Sequence, residues 1–118
     1  MPSIQRSPVK IHAQHLVDCI EACSECHEIC EHMLFHHCLK LGGKHVERAH
    51  LVLLADCSQI CRTSADFMIR HSAHHTAICR ACAEICEACA DHCEKLGEMD
   101  DCVSACRRCA ASCREMAG

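Results

Sequence analysis

The stretch CRACAEICEACADHC, residues 79–93, decides the fold. Its cysteines fall at 79, 82, 86, 89 and 93, in steps of 3, 4, 3 and 4. That is the a/d rhythm by which a helix lays one stripe against its bundle partners. Cysteine therefore stands where a bundle normally places leucine. The positions between carry Arg80, Glu84, Glu87 and Asp91, which suit the wet side of the same helix.

The rhythm recurs on both sides of this stretch. Cys102, Cys106, Cys109 and Cys113 keep steps of 4, 3 and 4, as do Cys19, Cys23, Cys26 and Cys30. Cys57 and Cys61 are a single step of 4. Breakers separate the runs: Gly42-Gly43, Ser72 and Gly97. Ser7-Pro8 reads as an N-cap and then a proline at the first helical position. The chain thus predicts helices over about 8–41, 44–71, 72–96 and 99–116, with Ser72 capping the third and Asp100 and Asp101 at the positive end of the fourth. Val and Ile do not alternate, which argues against strands. Short connections make neighbours antiparallel, so the expected fold is all-α: one up-down-up-down four-helix bundle over residues 1–118, with a loose tail over 1–7.

Aligning the helices at their turns gives layers. Cys19, Met68, Cys79 and Met116 would share one, and Cys23, Ser64, Cys82 and Cys113 the next. Further layers hold Cys26, Cys61, Cys86 and Cys109; Cys30, Cys57, Cys89 and Cys106; and Met33, Leu54, Cys93 and Cys102. Cys38 lies one position off this phase, where a free thiol at the bundle end and a ligand are both open; His37 lies on it. His27, His32, His45 and His92 fall on outer faces.

Composition sharpens the question of what fills such a core. Sixteen of 118 residues are Cys, twelve are His and five are Met, with two Phe and no Tyr or Trp. A buried Leu or Phe contributes about 1.5–3 kcal/mol, and a smaller Cys contributes less, so something besides apolar burial should tie the core. The net charge of −4, with both signs interspersed, gives nucleic acid no basic patch. No apolar run reaches the ~20 residues that cross a bilayer. Met1 to His15 has no apolar stretch of the secretory kind. The expected location is the cytoplasm, whose reducing conditions keep thiols free.

Thiolates and thioethers select Cu(I), zinc or iron–sulfur clusters. Zinc prefers closed tetrahedra on knuckles, and iron–sulfur ligation prefers irregular loops. Here each CxxC pair (Cys23/Cys26, Cys79/Cys82, Cys86/Cys89, Cys106/Cys109) sits inside a helical pattern. Cu(I) needs only two thiolates, and neighbouring ions can share sulfur along an axis. Sixteen buried thiolates without cations would be prohibitive, so the metal-free core stays largely protonated, and each incoming Cu(I) displaces protons. Candidate ligands are all sixteen cysteines (19, 23, 26, 30, 38, 57, 61, 79, 82, 86, 89, 93, 102, 106, 109 and 113), joined by Met68, Met116, His71 and His75. About one Cu(I) per thiol implies roughly 10–20 ions per chain. His12, His15, His71, His74 and His75 gather at one end beside Met68 and Met116, a candidate mouth; His36, His37, His45 and His50 mark an alternative opening at the other. A zinc or mixed-metal thiolate buffer is the alternative reading. Di-iron chemistry would need inward Glu, which the inner phase lacks, and no nucleophile–base pair suggests an enzyme.

With its CxxxCxxCxxxC run at Cys19–Cys30, CxxCxxxCxxC run at Cys79–Cys89 and the similar run at Cys102–Cys113, the chain resembles the bacterial copper storage proteins from about His12 to Met116. The resemblance implies Cu(I) storage inside the bundle, the cytosolic branch of the family and a homotetramer. It leaves a copper chaperone or efflux partner unspecified. The second helix departs from the pattern, with Ser64 where a thiol would sit.

Overall fold

The computed structural model describes residues 7–118, with side chains from Gln14 onward. The tail expected over 1–7 lies outside this span apart from Ser7, and so do the side chains of Ser7 and His12. Four long helices form the fold: α1 (Ser7–His32), α2 (Arg48–Ile69), α3 (His75–Leu96) and α4 (Asp100–Ala117). They form a ring in which α1 and α3 each pack against both α2 and α4. The result is the expected antiparallel four-helix bundle, with no strand among the described residues.

The connections differ from the sequence reading in three places, each for a local reason. First, α1 does not run regularly to Leu41. It passes through a π-helical segment, Met33–Cys38, and ends in a single α-turn, Leu39–Leu41. A π turn closes its hydrogen bonds one residue later than an α turn, so it rotates the side chains beyond it about the helix axis. Second, Gly42 and Gly43 both take positive φ, and a 3-10 turn (Gly43–Val46) precedes α2, which starts at Arg48 rather than Lys44. Third, Ser72 does not cap α3. Its Oγ accepts the His74 N–H at 3.1 Å and its carbonyl accepts His75 Nδ1–H at 2.9 Å, holding the turn before a helix that begins at His75. The end of α2 is a Schellman motif: Ser72 N–H bonds to Phe67 O, and His71 N–H to Met68 O. His71 occupies the left-handed position, φ 55°, that glycine usually fills.

Inside, the bundle is sulfur and small side chains. Ala22, Ala65, Ala83, Ala90, Ala105 and Ala110 are buried among the cysteines and let the helices approach closely. Outside, Arg107 donates to Asp91 (2.9 Å) and Glu94 (2.8 Å), Arg114 pairs with Glu87, and Arg108 donates to Glu25 at 2.6 Å. These exposed pairs lace α4 to α3 and α1, and water screens each of them. The α1–α2 face is tied differently: buried Ser58 donates its hydroxyl to Glu31 at 2.7 Å, and His27 Nδ1–H donates to the Ser58 carbonyl at 2.9 Å.

Candidate metal centre

All sixteen cysteines are buried and free. Each helix delivers its thiols on one face because the 3/4 spacing tracks the helical repeat. Contacts across the axis are close: Cys61–Cys86 at 3.4 Å, Cys23–Cys113 at 3.5 Å, Cys30–Cys102 at 3.6 Å, Cys26–Cys106 and Cys57–Cys106 at 3.7 Å.

Five groups of four sulfurs stand out among those formed, each with its atoms within 4.8 Å of one another. From one end of the column they are Cys30/89/102/106, Cys26/30/57/106, Cys26/57/61/86, Cys61/82/86/109 and Cys23/82/109/113. Each shares two cysteines with the next: 30 and 106, then 26 and 57, then 61 and 86, then 82 and 109. Twelve cysteines thus make one unbroken ladder. The flat layers of the sequence reading are close to this but not the same. The contacts run diagonally between expected layers, Cys57 meeting both Cys106 of its own layer and Cys86 of the next at 3.7 Å. Ser64 Oγ accordingly sits against Cys79 Sγ at 3.5 Å, although flat layers would pair it with Cys82.

The other four cysteines extend or flank the ladder. Cys19 reaches Cys113 at 3.8 Å and Cys93 reaches Cys89 at 4.0 Å. Cys79 meets the Met68 thioether at 3.8 Å, with both residues fully buried. Cys38, read as one position off the inner phase, is fully buried too. The π segment is the reason: the extra residue in that turn carries Cys38 inward and leaves His37, expected on the inner phase, half-exposed with its Nε2–H donated to Glu98 O at 2.6 Å. His45, expected on an outer face, is buried at 5% exposure and donates from Nε2 to Gly97 O at 3.2 Å. Met116 is half-buried against the core edge, His71 is exposed, and His75 is half-buried with Nδ1 committed to Ser72 O, leaving Nε2 as its lone-pair nitrogen. His50, read from the sequence as one of the residues at this end of the bundle, is buried with its Nε2 3.2 Å from Cys38 Sγ; the π turn that brings the sulfur to it has no spacing signature in a single chain.

Neighbouring sulfurs divide the protons of the column between them. The Cys102 thiol pushes Cys30 up, and Cys109 does the same to Cys61 and Cys113, with burial adding in each case. Cys106 pulls Cys26 down, and Cys109 pulls Cys82 down. Cys102 is lowered to about 6, first through Cys106 and then through Cys30. Burial and the nearby Cys102 push Cys38 up. His50 is lowered to about 4, first by burial and then by His92 and His45, so it is neutral at ordinary pH. The column therefore holds protons that an incoming cation must displace.

A family model for the copper storage proteins (Csp) matches residues 12–118. The chain belongs to that family. Solved structures agree. The Nmul_A1745 protein from Nitrosospira multiformis is 50% identical at TM-score 0.87, with 89% of this chain and 96% of that one covered. The Cu(I)-bound copper storage protein BsCsp3 is 36% identical at TM-score 0.82, over 89% of this chain and all of the other. Apo copper storage protein 3 from Bacillus subtilis is 37% identical at TM-score 0.70, over 85% and 96%. No curated protein matches the chain. For a member of the Csp family the ladder has a plain chemical meaning. Isolated tetrahedra would use each sulfur once, and twelve thiolates would make about three of them. A ladder that uses its sulfurs twice suits small monovalent ions that share thiolates.

Proposed function

We propose that this chain stores Cu(I), many ions at a time, along the shared-thiolate ladder from Cys30/89/102/106 to Cys23/82/109/113. The observation that carries the reading is the sharing of two sulfurs between every successive pair of four-sulfur groups. One Cu⁺ balances one thiolate, so a filled column approaches neutrality in a core where unpaired charge is costly. Cys19, Cys79 and Cys93 add ligands at the flanks. Met68 and His75 serve the end at the α2–α3 turn, where His71 is exposed, and copper passes in there with Met116 beside it.

The cytoplasm suits this function, because thiols this close together stay reduced only in a reducing compartment. The chain acts as a binding protein and not as an enzyme: its thiols are sealed from substrates. Self-association into a tetramer is supported by an apolar hollow lined by Leu34, Phe35, Leu39, Leu51, Val52 and Ala55, in which Phe35 and Leu39 are each 59% exposed. Among the described residues, no helix is long and apolar enough to cross a membrane.

Anaerobic Cu(I) titration of the fully reduced chain against a competing Cu(I) chelator tests the storage reading. The expected result is uptake of roughly 10–20 ions, with protons released in step and falling affinity as pH drops. Saturation near three ions, with Zn²⁺ displacing copper, would mean a thiolate buffer for zinc instead.

A further inference from the structure

The far end of the bundle holds a second kind of metal-binding constellation. Cys38, on the π segment after α1, has two side-chain contacts of its own, His50 Nε2 at 3.2 Å and Met99 Sδ at 3.9 Å. The three side chains come from three separate places, the end of the first helix, the start of α2 and the turn before α4. They are exposed by 0%, 1% and 1% respectively.

Four histidines meet here, and their hydrogen bonds separate their roles. His37 Nε2–H is spent on Glu98 O, and His45 Nε2–H on Gly97 O, so both fasten the α3–α4 turn. His50 is different. Its Nε2 faces a sulfur, and its Nδ1 lies 3.0 Å from His92 Nε2. The ring of His92 stacks on that of His50, with centroids 5.1 Å apart. If His92 Nε2 accepts, His50 carries its proton on Nδ1 and leaves the Nε2 lone pair directed at Cys38. This is the outer-shell arrangement that orients a ligating imidazole.

The geometry points to a separate, single-ion Cu(I) site formed by Cys38 Sγ, His50 Nε2 and Met99 Sδ, with His92 as the residue that sets the tautomer. It rests on the Cu(I) reading of the ladder but differs from it in chemistry. Binding exchanges the Cys38 thiol proton, released to solvent, for one Cu⁺. The thiolate and the cation cancel, while imidazole and thioether are neutral, so the filled site carries no net charge in a sealed pocket. Thiolate, thioether and imidazole are all accepted by copper. The π turn fits this role, since π turns recur at functional positions and this one is what brings Cys38 inside. Without it, the 3/4 phase would have delivered His37.

The test is nitrogen-15 spectroscopy of the histidine rings in the uniformly labelled full chain during anaerobic titration with Cu(I). His50 is assigned by the signal lost in His50→Gln. On loading, His50 Nε2 should shift as it gains a ligand bond while Nδ1 stays protonated. Cys38→Ser should abolish that shift and lower total copper by roughly one ion per chain. His92→Gln should keep the ladder's copper and redistribute the His50 tautomers. Unmoved His50 nitrogens in a wild-type chain whose ladder is fully loaded overturn this site and leave storage intact. A chain whose thiols take up no copper overturns the storage reading, and this site with it.

Discussion

Helices α2 and α3 pack side by side and line the column with the same inward spacing and different chemistry. α3 presents Cys79, Cys82, Cys86, Cys89 and Cys93, whereas α2 presents Met68, Ser64, Cys61, Cys57 and Leu54 along its own inner face. Every one of these side chains is buried. The thiols of α2 are confined to the middle of the bundle. Toward one end it supplies a hydroxyl and a thioether, toward the other an aliphatic side chain. Leu54 and Met68 are also among the largest fully buried residues of the chain. The contrast separates two tasks that a sulfur core otherwise confuses. α3 provides ligands along the whole axis. α2 provides bulk where the column ends, and its two cysteines stitch the middle of the ladder.

The largest expected effect breaks that stitching. Cys57 or Cys61 appears in three of the five sulfur groups. Cys57→Ser/Cys61→Ser should therefore lower Cu(I) capacity by more than the two thiols removed, because ions that bridge through them lose a shared ligand. The comparison is Cys79→Ser/Cys93→Ser, which takes two thiols from α3 outside the ladder and should cost about two ions. Elemental analysis after anaerobic loading decides it. Equal losses in the two double variants would show that the α2 thiols are not special.

A smaller effect concerns the empty column and alkaline pH. Cys86 is pushed above its ordinary 9.0 through Cys109, and Cys93 through Cys102, with burial adding to both. On α2 the two thiols diverge, Cys61 raised through Cys109 and Cys57 lowered through Cys106. A raised acid keeps its proton in the folded chain after the unfolded chain has lost its own. Above pH 9 the unfolded state then binds fewer protons, and stability falls as pH rises. The metal-free chain should thus melt at lower temperature at pH 10 than at pH 8. Cys57→Ser/Cys61→Ser should retain most of that decline, since α3 carries much of it. Calorimetry under reducing conditions measures both. A melting temperature flat across this range would mean that the thiols titrate as if exposed.

The bundle was legible in the sequence because the step of 3 and 4 is a property of the helix itself, and cysteine marked it more cleanly than a mixed apolar stripe would. The same marking put fifteen of the sixteen sulfurs inside and left Cys38 one position off the phase. What was not legible depends on how helices sit relative to one another. A shift of one helix along its neighbour leaves every spacing unchanged, so flat layers and a diagonal ladder read alike until Cys57 is seen against both Cys86 and Cys106 at 3.7 Å. The π segment is hidden for a related reason. MLFHHC has no glycine or proline to announce a change of pitch, yet that change exchanges His37 for Cys38 and brings His50 to a sulfur. His45 departs from its expected outer face because α2 starts later than the glycine pair suggests; it belongs to the 3-10 turn that folds back over the α3–α4 turn.

Ser64 offers the finest cut at the contrast between the two helices. Among the described residues it is the one hydroxyl on the sulfur axis itself, fully buried, with Oγ 3.5 Å from Cys79 Sγ. A hydroxyl is a poor ligand for a soft monovalent ion, so α2 offers Cys79 only the Met68 thioether, and the thiols beside it, Cys19 and Cys113, come from α1 and α4. Ser64→Cys changes one atom and keeps the shape, so the metal-free fold should shift by less than about 1.5 kcal/mol. The new sulfur would stand beside Cys79 and connect it toward the Cys23/82/109/113 group. Capacity should rise by about one Cu(I), read as an added step in the anaerobic titration. An unchanged endpoint, with all seventeen thiols counted as reduced, would show that α2 limits the column through packing at this end and not through its missing ligand.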